Sequence, residues 1–305
     1  MPFIRRINTK KSFAAVMACV LLLACRKDNA RSPADTTLMR PDSAIVVAQP
    51  AASAAWNAAA GPFLLVQGES ANEGIVLLPD SSHDMSDIQP GTELRLLGRG
   101  DASYAARLGG GPSSTDAECR VWPLTSVGGA PLGFWSVGFS SNQITALPLD
   151  SVELLSSRDS MALAAEASRL ASAVTATTAP SFQGLRFTAH DIRRFSPGPG
   201  IQAIVAHLIR RVNQEANPQE EQTLLIAERD SGVTSGPYQL AYAERTSGLE
   251  EDVTTPEVIG GARIAGHPTL IVARDGDAGV AYAMLERTGL RHWRLRWLSA
   301  STRCG

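Results

Sequence analysis

Lysine is nearly absent from most of this 305-residue sequence. After Cys25 the chain contains one lysine, Lys27, beside 23 arginines. Schiff-base chemistry, a P-loop lysine and Ser-Lys catalytic pairs all need a lysine in a folded site. The composition therefore excludes these classes of enzyme.

An excess of positive charge is also missing. From Cys25 onward the sequence has 24 basic and 30 acidic residues, which gives a net charge of −6. Non-specific nucleic-acid binding depends on a basic face opposite phosphate groups. No nucleic-acid partner is therefore expected.

Recognisable catalytic and metal-binding motifs are absent as well. The five histidines show no HxH or HExxH spacing, and no Cys-x-x-Cys pair occurs; they are His83, His190, His207, His267 and His292. The string GESAN at residues 68–72 comes near a nucleophile elbow, but asparagine replaces the second glycine. We expect no metal and no cofactor, and no residue stands out as catalytic.

What is present is a secretory signal. Arg5, Arg6, Lys10 and Lys11 precede the apolar run FAAVMACVLLLA at residues 13–24. A charged segment followed by an apolar run of this length is typical of a signal peptide. The run is too short to span a bilayer permanently, which takes about 20 residues.

The apolar run ends in Leu22-Leu23-Ala24-Cys25, which resembles the lipobox of bacterial lipoproteins. The resemblance covers residues 1–27 and implies cleavage after Ala24, a diacylglyceryl thioether on Cys25 and acylation of the new amino terminus. A plain secretory signal is the alternative. A cut before Cys19 fits less well, because it would leave an apolar run of six residues.

The same resemblance implies a location in the cell envelope. Arg26 is not the aspartate associated with inner-membrane retention in well-studied bacteria, which favours an outer-membrane anchor facing the periplasm. Lys27 keeps inner-membrane retention open, and surface exposure is also open. The expected partners are the membrane, through acyl chains on Cys25, and an unidentified envelope protein or glycan.

Composition divides the chain into five segments. They are a signal peptide (1–24), the lipidated cysteine with a flexible tether (25–61), a first β region (62–156), a helix (157–180) and a second β region (181–305). Pro, Ala, Ser and Asp dominate the tether, as in flexible linkers. A packed N-terminal arm is the alternative, since Trp56 lies in this segment.

The fold class that follows is mainly β (α+β), with two packed antiparallel β regions, each a barrel or a sandwich, joined by one long helix. Short apolar runs between turn residues predict strands at Phe63–Gln67, Gly74–Leu78, Glu93–Gly98, Ser103–Leu108, Cys119–Leu124, Gly133–Phe139 and Ser151–Leu155. Longer runs predict strands at Leu185–Phe195, Ile201–Val212, Gln222–Arg229, Tyr238–Arg245, Val258–Ile264, Thr269–Arg274, Val280–Arg287 and Trp293–Leu298.

One long helix is predicted over Ser157–Thr177, with Ser157 as N-cap. Four apolar residues recur on one face: Leu163, Ala167, Leu170 and Val174. The face is narrow, so the helix is expected to pack on a sheet or to bridge the two β regions. Gln202–Arg211 also fits a helix, but the absence of a helix stop favours a strand.

Turn-forming residues mark the connections of the second β region. Asp275-Gly276-Asp277 lies between two apolar runs and predicts a hairpin turn rather than a calcium loop, which needs more oxygen ligands. Four strings share a loose repeated pattern, or echo, in which apolar residues are followed by an acid–arginine or arginine–acid pair and then by glycine. They are IAERDSG, YAERTSG, VARDGDAG and LERTG. Either an internal repeat or the convergent chemistry of hairpins explains it.

Cys119 and Cys304 are the cysteines that remain after Cys25 is lipidated and the signal peptide is removed. Export places them in an oxidising compartment, so a disulfide is expected. Two unpaired thiols are the alternative. In the chain-entropy model, the bridge would stabilise the fold by about 5 kcal/mol.

The C-terminal strand carries a candidate anion-binding face. Alternation places Trp293, Leu295 and Trp297 on one side of the strand, and His292, Arg294 and Arg296 on the other. Planar guanidinium groups suit an anionic lipid or glycan. The alternative is cross-strand pairing with acidic residues, namely Glu228, Glu244 or Glu286.

Two functions remain open at the level of sequence. The first is a lipid-anchored envelope protein of unknown molecular role that acts as a non-enzymatic binding or structural module. The second is an envelope hydrolase whose acid and base come from distant residues, with His190, Asp191 and His292 as the positions to inspect. A concave pocket holding buried ionisable groups with shifted pKa values would favour the hydrolase.

Overall fold

The computed structural model describes residues 55–80, 88–113, 120–174, 179–212, 218–232 and 236–303. Strands dominate these residues and α1 (Ser157–Ala173) is the one α-helix among them, so the predicted fold class is confirmed. The lipobox, Cys25, Cys119 and Cys304 lie outside the described residues. No helix in the described part of the chain has the length and apolar character to cross a membrane.

The first β region forms a closed antiparallel barrel, which settles the choice between barrel and sandwich there. Its strands are β1 (Leu64–Gln67), β2 (Glu73–Leu77), β3 (Glu93–Leu97), β4 (Ser103–Leu108), β5 (Val121–Ser126) and β6 (Val137–Phe139). Their order around the barrel is β1-β2-β5-β4-β3-β6. Apolar side chains fill the interior, with Leu65, Leu96 and Trp135 fully buried. Closure leaves these strands without an open edge.

The second β region is a sandwich of two five-stranded antiparallel sheets. Sheet I has the order β12-β11-β10-β9-β8, with β8 (Asp150–Ser151), β9 (Thr188–Gly198), β10 (Ile201–Val212), β11 (Gln219–Asp230) and β12 (Gln239–Leu249). Sheet II has the order β16-β15-β14-β13-β7, with β7 (Ile144–Ala146), β13 (Thr255–Ile264), β14 (His267–Gly276), β15 (Gly279–Gly289) and β16 (His292–Leu298). One apolar cluster joins their facing sides, including Val205, Leu224, Leu270 and Leu285.

The described residues form four successive layers. The barrel packs on the outer face of sheet II, where Phe139 and Ile144 meet Ile271 and Met284 in one core cluster. The outer face of sheet I is covered by α1. The helix therefore covers a sheet rather than bridging the two β regions through space.

The helix shows its predicted apolar face, because Ala167, Leu170 and Val174 are buried against sheet I. Its ends differ from the prediction. The N-cap is Ser156, not Ser157, since the Ser156 hydroxyl accepts from the Asp159 backbone N–H at 3.2 Å. The helix ends at Ala173, where Val174 adopts an extended conformation as C-cap.

Several local predictions need correction. The strand predicted at Ser151–Leu155 is the two-residue β8 followed by a 3-10 turn at Val152–Leu154. The β14–β15 turn consists of Asp277 and Ala278, with Gly276 paired to Gly279, so Asp275 belongs to the strand. The ambiguous segment Gln202–Arg211 is a strand, as predicted.

The end of the predicted tether is packed against the body. The Trp56 ring lies 4.9 Å from the Trp297 ring, and its indole N–H donates to the Gly61 carbonyl at 2.7 Å. Ala60 is fully buried. Residues 55–61 therefore fit the packed N-terminal arm given as the alternative, because the half-buried Trp56 packs against the buried Trp297.

Candidate functional site

Polar side chains enter the sandwich at both ends of its apolar centre. At one end Glu228 of β11 is fully buried and accepts four hydrogen bonds. Arg287 donates two of them (2.7 and 3.0 Å), the Trp293 indole one (2.7 Å) and the Arg291 backbone one (2.9 Å). Burial alone raises the pKa of Glu228, but these donors outweigh it and lower that pKa. The buried Glu228 carboxylate at this end is thus fully hydrogen-bonded.

At the opposite end, near the start of β11, the two sheets separate around a cavity of about 420 Å³. We term it the sandwich-end cavity. Apolar side chains such as Leu224, Pro256 and Leu298 form much of its wall. Its mouth is bordered by Asp252, before β13, and by the β14–β15 turn at Gly276–Gly279.

An ion pair lies in the wall of this cavity and links the two sheets. Arg274 of sheet II donates to Glu244 Oε2 of sheet I, and both side chains are largely buried. The Tyr242 hydroxyl donates to the same oxygen at 2.6 Å. Burial, reinforced by the charge of Glu244, raises the pKa of Tyr242 well above its ordinary value. The phenol therefore keeps its proton, and the pair is internally neutral.

A chain of amide and imidazole groups runs behind the cavity. The Gln222 amide donates to Glu220 at 2.6 Å and to the Thr255 hydroxyl at 3.0 Å. Its carbonyl lies 2.8 Å from His207 Nε2, so that nitrogen carries the proton. Burial lowers the pKa of His207. His207 reaches the cavity through Gln222 and does not line it.

The three positions to inspect for a hydrolase, His190, Asp191 and His292, do not line the sandwich-end cavity. The His190 ring lies 5.1 Å from the His207 ring, behind the cavity. Asp191 accepts from Arg193 at 2.9 Å. His292 lies beyond the Glu228 end of the sandwich, where its Nδ1 is 3.0 Å from the Thr288 hydroxyl.

A β-bulge changes the faces predicted for β16. Leu295 pairs with Leu285 and Trp297 pairs with Met284, so Arg296 is the extra residue. As a result Trp293 packs inside the sandwich, whereas Trp297 packs on the opposite side against the barrel. The predicted shared face of the two tryptophans is wrong.

The bulge also affects the candidate anion-binding face. Arg296 Nε lies 3.5 Å from Glu286 Oε2, which is the cross-strand pairing given as the alternative. His292 and Arg294 are exposed. Anion binding by His292 and Arg294 stays a prediction.

Sequence reasoning missed the residues of the cavity, although a signal for them was present. The four echoing strings supply the partners of two inter-sheet ion pairs, Glu228–Arg287 and Glu244–Arg274. Glu228 and Glu244 come from the two strings in sheet I, and Arg287 and Arg274 come from the two strings in sheet II. The interpretation of the echo as hairpin chemistry did not consider that these charged side chains face the interior of the sandwich.

Comparison with known proteins gives no relative for this chain. No protein-family model matches it, and neither the curated proteins nor the solved structures contain a match.

Proposed function

We propose that this chain is a lipid-anchored protein of the cell envelope and acts as a non-enzymatic binding module. The sandwich-end cavity is its ligand site. One observation carries the proposal: an apolar cavity of about 420 Å³ contains a buried, internally neutral ion pair. Small-molecule sites combine apolar walls with a few convergent polar groups in this way.

The ion pair defines the chemical class of the ligand. Glu244 and Arg274 neutralise each other, so a charged ligand group placed beside this pair would find no unpaired counter-charge. Asp252 and Asp277 at the mouth disfavour anions further. An uncharged donor–acceptor group, such as a hydroxyl or an amine-type N–H on an apolar body, fits both the pair and the walls.

Buried ionisable groups do line this cavity, and burial lowers the pKa of one of them, Arg245. Arg245, however, is paired with Glu221 at 3.2 Å, and the remaining geometry speaks against hydrolysis. Glu244 is held by Arg274 and Tyr242, which leaves it a poor general base.

Of the described residues, those that line the cavity include no histidine or cysteine. Three hydroxyl side chains line it, those of Thr246, Thr254 and Ser301, but none of them is hydrogen-bonded to a carboxylate in the described structure, and Thr246 donates to the Thr254 carbonyl at 3.2 Å. A nucleophile next to a base, which covalent hydrolysis requires, is therefore not assembled from this lining.

The anchor rests on the lipobox-like residues 22–25. Together, two or three acyl chains hold a protein durably on a membrane. Such an anchor would keep the cavity among the small amphipathic molecules that accumulate at envelope lipids. The favoured membrane remains the outer one, with the body in the periplasm.

The expected Cys119–Cys304 disulfide is part of this proposal, and the residues beside the cysteines support it. Val121 and Val280 pack against the same core cluster, and Thr302 pairs with Val280. Val121, two residues after Cys119, and Val280, the partner of Thr302, therefore adjoin the same core cluster. Peptide mapping without reductant should recover the linked pair, whereas two alkylated thiols would contradict it.

A fluorescence titration tests the binding site. The probe is N-phenyl-1-naphthylamine, an uncharged aromatic amine. The protein is the chain from residue 26 onward, secreted behind an ordinary signal peptide and therefore without acyl chains. We expect saturable binding that weakens by about tenfold or more in Ala281→Trp, which fills the cavity, and less in Ala281→Leu. Ala162→Trp, on the exposed side of α1, is the matched control.

Two results would contradict the proposal. One is equal binding by wild type and Ala281→Trp when their unfolding transitions show that both are folded. The other is tighter binding of the anionic relative 1-anilinonaphthalene-8-sulfonate, because the neutral pair and the acidic mouth disfavour a sulfonate.

A further inference from the structure

A second hollow, of about 370 Å³, lies where the barrel meets sheet II. We term it the barrel–sandwich cleft. Its barrel wall is formed by Gly98–Gly100, which follow β3, and by Phe134–Ser136, which precede β6. Its opposite wall is formed by the residues of β13 from Glu257 to Gly261. The volume falls within the range of sites that bind small molecules.

One aromatic side chain is presented to solvent at this cleft. Phe134 is 60% exposed, and it is the one phenylalanine, tyrosine or tryptophan among the described residues whose side chain is exposed. An exposed ring forgoes the burial through which the other aromatic residues stabilise the fold. The position of Phe134 therefore indicates a role in binding rather than in folding.

The backbone that carries Phe134 is fixed on both sides. The Trp135 backbone N–H donates to Gln67 Oε1 at 2.9 Å, and the buried Trp135 indole donates to the Ala71 carbonyl at 2.9 Å. A Cβ atom on Gly98 would lie 2.8 Å from the Phe134 carbonyl oxygen, so the missing side chain lets this segment lie directly on Gly98. The ring is thus held in place before a ligand arrives, which reduces the entropy lost on binding.

Hydrogen-bonding groups without partners line the same cleft. Because the Gln67 carbonyl oxygen is already engaged, the amide N–H groups of Gln67 are left, and they have no partner among the described residues. The side chains of Arg99 and Glu257 are exposed, and within the described part of the chain neither forms an ion pair or a hydrogen bond. Arg193 also lines the cleft but is paired with Asp191 at 2.9 Å. The free side chains are thus two donors and one acceptor, and their charges balance.

This combination of groups complements a carbohydrate. A pyranose ring has an apolar C–H face, which can lie on an aromatic ring, and a rim of hydroxyl groups that both donate and accept hydrogen bonds. Hydrogen bonds to a guanidinium or a carboxylate are strong, and they require no charge on the ligand. A purely apolar ligand would remove water from the three polar side chains without replacing its hydrogen bonds.

We propose that the barrel–sandwich cleft binds an uncharged saccharide, with one sugar ring stacked on Phe134. Gln67 Nε2 and the Arg99 guanidinium donate to its hydroxyl groups, and the Glu257 carboxylate accepts from one of them. This site is separate from the sandwich-end cavity. The proposal depends neither on the lipid anchor nor on the ligand of that cavity.

Isothermal titration calorimetry with defined oligosaccharides tests this proposal on the secreted chain from residue 26 onward. The probes are the uncharged trisaccharides triacetylchitotriose, cellotriose and maltotriose, which differ in their N-acetyl groups and in the linkage between their rings. At least one of them should bind with a Kd of about 1 mM or lower. Weaker binding than about 1 mM by every probe would overturn the proposal.

Variants at Phe134 test the stacking. Phe134→Ala should weaken binding by about tenfold, whereas Phe134→Trp, which keeps an aromatic face, should preserve it. Leu290→Ala is the matched control, because Leu290 is an equally exposed apolar residue (59%) that does not line the cleft. Equal losses in Phe134→Ala and Leu290→Ala, or in Phe134→Ala and Phe134→Trp, would contradict the assigned contact.

Gln67→Glu tests the amide donor. The new carboxylate can still accept from the Trp135 N–H, but it cannot donate to a sugar hydroxyl, so binding should weaken by about fivefold. Gln183→Glu, at an exposed position outside the cleft, controls for the added negative charge and should leave binding unchanged. An unaltered affinity in Gln67→Glu would contradict the hydrogen bond from Gln67.

Saturation-transfer difference NMR on the bound trisaccharide tests the orientation of the sugar. The ring protons of one face should receive most of the saturation, because that face lies on Phe134. Even saturation of both faces would overturn the stacking. Ala281→Trp should leave saccharide binding unchanged, and a loss of binding in this variant would assign the sugar to the sandwich-end cavity instead.

Discussion

Buried and exposed carboxylates in this protein contribute differently to the stability of the fold. Glu228 has a side chain 1% exposed and is held by four donors, whereas Glu93 is 74% exposed and pairs with Arg107 alone at 2.9 Å. A buried ion pair is costly to break, because its remaining partner keeps an uncompensated charge. An exposed pair is screened by solvent and contributes little.

Glu228→Gln should therefore lower the free energy of unfolding by about 3–5 kcal/mol, because Arg287 stays buried without a counter-charge. Urea denaturation followed by far-ultraviolet circular dichroism measures the change. Glu93→Gln is the control and should change the value by less than about 0.5 kcal/mol. Similar values for the two variants would show that the Glu228 network is not a structural anchor.

His207 gives a pH-dependent contribution to stability. Burial lowers its pKa below the ordinary 6.5, so between these two values the unfolded chain binds more protons than the folded chain. Its contribution is complete above pH 6.5 and declines as the pH falls through that window.

His207→Gln should reduce the loss of stability on acidification, since the new amide can still donate to Gln222 without titrating. Urea denaturation at pH 7.5 and at mildly acidic pH gives the comparison. The surrounding groups His190, Asp191 and Glu220 remain in both proteins, so the replacement of His207 is the one change between them. An identical pH dependence would exclude His207 as the source.

Among the elements, close backbone contacts fix how the strands meet. Gly261 of β13 lies against the chain segment that leads from β7 to β8. A Cβ atom there would be 2.6 Å from the Leu147 carbonyl oxygen, a distance that real structures do not tolerate. Glycine is therefore required by space at this position.

Gly261→Ala should destabilise the fold by about 1–3 kcal/mol, because backbone must shift to admit the methyl group. Gly198→Ala is the matched control, since a Cβ atom on Gly198 meets nothing within 4 Å. Thermal unfolding of both variants measures the difference. A Gly261→Ala protein as stable as Gly198→Ala would contradict the contact.

Most elements could be predicted because their signals are local. The prediction of a strand at Gln202–Arg211 rests on the absence of a helix stop before the next turn, because the apolar run alone also fits a helix. The bulge at Arg296 could not be predicted, because a bulge is defined by the partner strand. β7 was missed because three residues carry too little pattern, and its pairing with β13 joins residues far apart in sequence.

On the scale of the whole molecule, composition predicted the order of β region, helix and β region. It did not predict that two strands preceding the helix belong to the sandwich. β7 and β8 precede the helix, yet they pair with sheets of the sandwich. The candidate site was hidden for the same reason. Glu244 and Arg274 lie on different sheets, and the pair exists only once those sheets face each other.

The predicted anchor concerns Cys25 and can be tested in cells. Metabolic labelling with a clickable fatty acid should mark the wild-type chain and fail to mark Cys25→Ser. Cys19→Ser is the matched control, because this cysteine lies inside the apolar run of the same signal and should not alter labelling. Equal labelling of Cys25→Ser and wild type would remove the lipid anchor from the proposed function.

The central claim is that the sandwich-end cavity receives a small uncharged amphiphile. A crystal structure of the complex with N-phenyl-1-naphthylamine tests it most directly. We predict that the probe lies between the two sheets, with its rings against Leu224 and Leu298 and its amine beside the Glu244–Arg274 pair. A probe bound elsewhere, with the cavity still filled by solvent, would contradict the claim.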